Sequence, residues 1–191
     1  FLEKEFEAGS SYKPNKADWL DGQWSGLKAA PDREQRRGDT SVKLDKLKQI
    51  GLSMTELPKG YELNKKLVRI VENRRKSINE EKNIDWSTAE HLAFGTLLDE
   101  GHPVRLSGQD SCRGTFSQRH AVFVDQKNEN RYIPLNNLRV GQNQFEVIDS
   151  PLSEASVLGF EYGYSLTEPS ALVMWEAQFG DFANGAQVIV D

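Results

Sequence analysis

One cysteine in 191 residues is the first absence that matters. Cys112 alone can form neither an intramolecular disulfide nor a zinc cluster of the CxxC type, and such thrift fits a reducing compartment, bacterial cytoplasm or mitochondrial matrix. Long hydrophobic runs are missing too. No stretch approaches the roughly 18–20 apolar residues of a membrane span, and no basic-then-apolar leader is visible, so secretion and a membrane partner are not expected. The three histidines, His91, His102 and His120, show no metal-ligand spacing, so structural or surface roles are expected and no metal site is assigned. Internal repeats and low-complexity tracts are absent.

What is present is charge, unevenly placed. Residues 1–85 carry 18 Lys+Arg against 15 Asp+Glu, and residues 86–191 carry 6 against 14, within a formal net charge of -5. An acidic chain lacks the broad positive footprint that phosphate backbones require, which argues against a nucleic-acid partner. The composition shift near Trp86 divides the chain into a helical connecting segment, 1–85, and an α/β unit, 86–191. In the first, Gly9-Ser10-Ser11 and Pro14 break a short helix, 31–40 is polar loop, and 65–81 is a charged helix. There Leu67, Ile70, Val71 and Ile78 form the apolar stripe, while Arg69, Arg74, Arg75 and Lys76 are expected on the solvated face.

From Trp86 on, helix and strand alternate. Asp85 is placed to cap a helix that ends at Gly101, with Trp86, Ala89, Leu92, Ala93, Leu97 and Leu98 as its apolar positions. Strands are predicted at 104–106, 121–124, 145–147 and 171–175, with a helix over 153–166 and a final helix from Asp181. The fold class is therefore α/β, a parallel sheet flanked by helices and preceded by a helical segment. The chain opens in mid-helix at Phe1 and closes in an apolar run at Asp191, as a piece of a longer protein would.

Three stretches could carry chemistry. Ser107 to Phe116 sets Gly beside Asp110, Ser111, Cys112 and Arg113 just after a strand, where open α/β sheets bind ligands. A nucleophilic Cys112 would need His120 or a helix N-terminus to lower its thiol pKa; a plain loop cysteine is the simpler reading. In Asp149 to Tyr164, Ser153 can cap a helix whose first turn holds Glu154. The plain reading is a capping carboxylate, but Pro151, Leu152, Val157 and Leu158 would favour the neutral form of an inward-facing carboxyl. Glu161 suits a structural partner. In Trp175 to Gln187, Phe179 and Phe182 could face one cavity, although aromatics so spaced are more often core.

Taken together, Arg105 to His120, Asp149 to Tyr164 and Trp175 to Gln187 resemble the thiamine-diphosphate-dependent decarboxylating components of 2-oxoglutarate dehydrogenase complexes, over about Trp19 to Asp191. The resemblance implies a thiamine-diphosphate pyrimidine-binding type of fold over 86–191. It implies oxidative decarboxylation of a 2-oxoacid, 2-oxoglutarate, with succinyl transfer to a lipoyl group on the dihydrolipoyl succinyltransferase component, in the tricarboxylic acid cycle. It also implies a homodimer whose cofactor bridges two subunits. The Leu-Ser-Glu motif matches Leu152, Ser153 and Glu154, which makes Glu154 the catalytic carboxyl that hydrogen-bonds the pyrimidine nitrogen. Phe182 first, then Phe179, are the ring contacts; Gln178 lines the pocket and Leu152 supports the cofactor from its apolar side. The family's Gly-Asp-Gly grip on diphosphate and magnesium is missing here, so magnesium is expected on a domain outside this chain. Two other readings remain: a non-catalytic interaction module using the acidic face of 86–191, and a hydrolase built on Cys112 and His120.

Overall fold

The computed structural model describes residues 1–13, 21–32 and 38–190, with the side chains of Asp21 and Phe182 left aside. Pro14 and half of the 31–40 loop thus lie outside the described residues. Two short helices, α1 (Leu2–Gly9) and α2 (Asp21–Trp24), come first. Helices α3 (Leu44–Ser53), α4 (Lys65–Glu80) and α5 (Trp86–Glu100) follow. The caps explain two of these boundaries. The Asp85 carboxylate accepts from the Thr88 amide at 2.7 Å and α5 stops where Gly101 takes φ 93°, while Asn64 accepts from Lys66 at the start of α4.

The strands are β1 (Val104–Gly108), β2 (Phe123–Val124), β3 (Arg131–Tyr132), β4 (Phe145–Asp149) and β5 (Leu172–Glu176), with α6 (Glu154–Thr167) between the last two. β1 lies between β4 and β5, parallel to both. Val104 pairs with Phe145 and Leu172, and Gly108 with Asp149 and Glu176, so all three strands end level. The expected α/β fold, a parallel sheet flanked by helices behind a helical segment, is the one found.

Particular expectations fail. The strand predicted over 121–124 does not join the sheet: β2 and β3 form a separate antiparallel hairpin. The Tyr61 hydroxyl holds that hairpin, donating to the Asn130 carbonyl at 2.7 Å. The last predicted helix is a 3-10 turn, Asp181–Ala183, followed by turns. On α5 the buried residues are Ser87, Thr88, His91, Phe94, Gly95, Thr96 and Leu98, with Leu92 and Leu97 packed against the core; of the expected apolar positions Trp86, Ala89 and Ala93 are exposed. Reading apolar residues alone rotated that helix, because its packed face is made largely of small and polar side chains.

The core explains the rotation. Leu98, Val104, Leu135 and Phe145 are fully buried, with the Phe94 and Phe145 rings 5.5 Å apart. Met54 and Ile78 of the preceding helices belong to the same cluster. Helix α3 crosses α5 at Gly95, where a β-carbon would stand 2.5 Å from Ile50 Cγ2, so the helices meet backbone to side chain.

Candidate functional site

Because β1, β4 and β5 end together, their following loops converge at one end of the sheet, the usual crevice of an open parallel sheet. Gly108 makes the convergence possible: a β-carbon there would lie 2.6 Å from the Glu176 carbonyl oxygen and 2.9 Å from Ser111 Oγ. The Ser150 amide donates to the Gly108 carbonyl at 2.7 Å, tying the second loop to the first.

Glu154 is the first residue of α6 and is half-buried. Its Oε1 lies 3.5 Å from Gln109 Nε2, a long contact, and its Oε2 faces Gly185. The positive end of the helix dipole favours an acid here. Ser153 precedes the helix but makes no capping bond; its hydroxyl meets that of Ser156 at 2.9 Å. Of the apolar company expected around Glu154, Val157 is buried, whereas Pro151 and Leu152 are exposed, so this chain encloses the carboxyl from one side only.

The other candidate positions divide. The Phe179 ring is fully exposed, so within this chain it faces solvent and no shared cavity. Phe182 has its backbone in the 3-10 turn, and its side chain lies outside the described residues. Leu152 is 56% exposed beside a cavity of about 170 Å³ walled by Ile148, Val157 and Phe160. Gln178 is turned toward the 109–120 loop: its Nε2 donates to Thr115 Oγ1 at 2.8 Å and lies 3.3 Å from Asp110 Oδ2, while its amide donates to Asp181. The structure thus gathers Glu154 with Gln109 and Gly185, and Gln178 with Asp110 and Thr115.

Beneath them lies an ionic floor. Arg119, 4% exposed, donates to Glu90 Oε2 at 2.8 Å, to Glu176 and to the Ser111 carbonyl at 3.0 Å. Burial alone would lower its pKa; the carboxylates of Glu176 and Glu90 outweigh that and raise it, so the charge is permanent. Ser107 Oγ, Ser111 Oγ and Glu176 Oε1 are buried without a hydrogen-bond partner. On the other side of β1, Arg105 grips Glu161 bidentately at 2.7 and 2.9 Å, contacts Glu146, and lies under the Phe160 and Tyr164 rings. Glu161 is the structural partner expected of it.

Cys112 is no nucleophile. Its thiol is buried, and burial, then the Asp149 carboxylate, push its pKa up. Its hydrogen-bonding neighbours are Val147, Arg131 and, through its amide, Asp149. Burial lowers the pKa of His120, whose backbone sits at φ 46°. The hydrolase reading is withdrawn. His91 is buried with Nδ1 2.8 Å from the Ser87 carbonyl, and His102 Nδ1 lies 3.0 Å from that of Ser170. Among the described residues no three His, Cys, Asp or Glu side chains gather to hold a metal ion, and no helix is long and apolar enough to cross a membrane.

Sequence reasoning missed Gly185, Arg119, Glu90, Glu176 and Arg74. One signal was available: Glu176 closes an apolar strand, and an acid in that setting needs a cation.

Comparison with known proteins follows the same residues. Positions 82–191 match the family model described as the transketolase pyrimidine binding domain. The whole chain is 62% identical to the 2-oxoglutarate dehydrogenase E1 components of Brucella canis, Brucella abortus and Brucella melitensis. The chain spans 19% of the length of each of those relatives.

Proposed function

The chain belongs to the transketolase pyrimidine-binding domain family, and from that premise we propose that it is the pyrimidine half of a thiamine diphosphate site in a 2-oxoglutarate dehydrogenase. The parent protein would decarboxylate 2-oxoglutarate oxidatively and pass the succinyl group to the lipoyl group of a dihydrolipoyl succinyltransferase, in the tricarboxylic acid cycle. It would act as a homodimer, in bacterial cytoplasm or mitochondrial matrix. The observation that carries the reading is a half-buried carboxyl, Glu154, at the carboxyl ends of three parallel strands, with Gln109 beside it and the apolar surfaces of Leu152 and Phe179 left bare.

Those residues fit an aminopyrimidine. A flat heterocycle needs an aromatic or aliphatic surface against its face and a hydrogen-bonding group at its ring nitrogen. Phe179 and Leu152 supply the surfaces, and Glu154 supplies the acid. The exposure of Phe179 and Leu152 in a single chain suits a ring that a second subunit helps to cover. When bound, the cofactor supplies the electron sink for decarboxylation. Glu154 offers its carboxyl to the ring nitrogen for proton exchange, with Gln109 beside it. Gln178 works at one remove, fixing the 109–120 loop through Thr115 and Asp110. Magnesium and the diphosphate would be held by a part of the parent protein other than this one.

The test is decarboxylation of 2-oxoglutarate by the parent enzyme carrying Glu154→Gln. A loss of at least about a hundredfold, with a wild-type circular dichroism spectrum, supports the proposal; wild-type turnover contradicts it.

A further inference from the structure

Helix α4 lies before the matched residues 82–191, yet through Arg74 it reaches the far end of the 109–120 loop. Its buried face is Val71, Arg74 and Ile78, and Arg74 is 6% exposed where the charge pattern placed a solvated arginine. A guanidinium at that depth must be offset by hydrogen bonds. Arg74 Nη2 donates to the Arg119 carbonyl at 2.6 Å and to Ser87 Oγ at 2.7 Å, and lies 3.3 Å from the Gln118 carbonyl, while Nε has no partner. Two of the three acceptors are backbone carbonyls at the far end of the 109–120 loop.

That end of the loop is also where the ionic floor attaches, through the Arg119 side chain to Glu90, Glu176 and the Ser111 carbonyl. The near end carries Gln109 toward Glu154, and Asp110 and Thr115 toward Gln178. Within the loop the Arg119 and His120 amides both donate to the Arg113 carbonyl, and Gly114 packs against Gln118 so closely that a β-carbon would stand 2.5 Å from its Cδ. The loop is therefore stiff, and a shift at 118–119 is passed to 109–115.

We propose that Arg74 is a positioning residue of the cofactor site: by fixing the backbone of Gln118 and Arg119 it sets the loop that presents Gln109 to Glu154, which makes the connecting helix a working part of the site. The proposal rests on the reading of the crevice as the seat of an aminopyrimidine.

The experiment is a titration of the parent enzyme with thiamine diphosphate and magnesium, followed by tryptophan fluorescence. It compares wild type with Arg74→Met, Arg74→Lys and Arg75→Met, the last an exposed arginine on the same helix. Arg74→Met is expected to weaken cofactor binding about ten- to a hundredfold, the usual size of a coupling between a distant position and a binding site. Arg74→Lys, which keeps the charge and loses the fork, is expected to lose about threefold or more, and Arg75→Met to match wild type. Wild-type affinity in Arg74→Met overturns the proposal, even if the variant melts at a lower temperature. Should Arg74→Met fail to fold, Arg74→Lys decides. Weaker binding with faster amide exchange at 117–121 supports the proposal, and unchanged binding overturns it. Failure of the wild-type parent itself to bind the cofactor sinks the reading of the crevice instead.

Discussion

The Glu154 carboxyl rests against the backbone of Gly185: Oε2 stands 2.8 Å from the point that a β-carbon on residue 185 would occupy. The atom in the way is the end of a flexible side chain, so a methyl group there costs little stability and is relieved by turning the carboxyl aside. Gly185→Ala is expected to shift the melting temperature by no more than a few degrees, yet to lower thiamine diphosphate affinity or turnover of the parent enzyme about tenfold or more. Cofactor titration and thermal melting of the same variant check both halves.

His91 makes stability depend on pH. It is buried, and burial first, then the Arg74 charge, depress its pKa to about 3 from an ordinary 6.5. Between those values the unfolded chain binds a proton that the folded chain refuses. The stabilising contribution of the neutral ring is therefore complete above about pH 6.5 and drains away as pH falls toward 3. The loss is on the order of a few kcal/mol. Denaturation midpoints from pH 7 to 4 should fall more steeply in wild type than in His91→Gln; parallel curves contradict the assignment.

The Arg105–Glu161 pair is structural. Glu161, 4% exposed, is held by Arg105, whereas Arg105 also holds Glu146, so it is removal of Arg105 that leaves a buried charge unpaired. Arg105→Met is expected to cost about 3 kcal/mol in denaturant unfolding of the parent protein. The double variant Arg105→Met/Glu161→Leu should recover part of that loss, because it removes the uncompensated charge.

Cys112 is expected to be inert. With its thiol pKa raised by burial and Asp149, alkylation by iodoacetamide at pH 7 should be much slower than for a free thiol. Cys112→Ser should leave turnover of the parent enzyme within about twofold.

Much of this was readable from residue order. Asp85 and Gly101 bracketed α5 because caps are local chemistry, and the strands at 104, 145 and 172 announced themselves as apolar runs between turn residues. The place of Glu154 in the first turn of α6 was legible because Ser153 marks a helix start. Other features were hidden because they are long-range. Arg74 reads as solvated until the carbonyls of 118 and 119, more than forty residues on, are seen to meet it. Helix α3 carries few strong signals, and its place is set by Ile50 fitting over Gly95. The hairpin at 123–132 depends on Tyr61, and the phase of α5 on small polar residues that pack as well as apolar ones.

The most direct measurement of the central claim is the rate at which the thiazolium C2 proton of thiamine diphosphate exchanges with deuterium when bound to the parent enzyme, wild type against Glu154→Gln. The variant, folded and still binding the cofactor, is expected to slow this exchange by about a hundredfold or more. An exchange rate equal to wild type would contradict the claim.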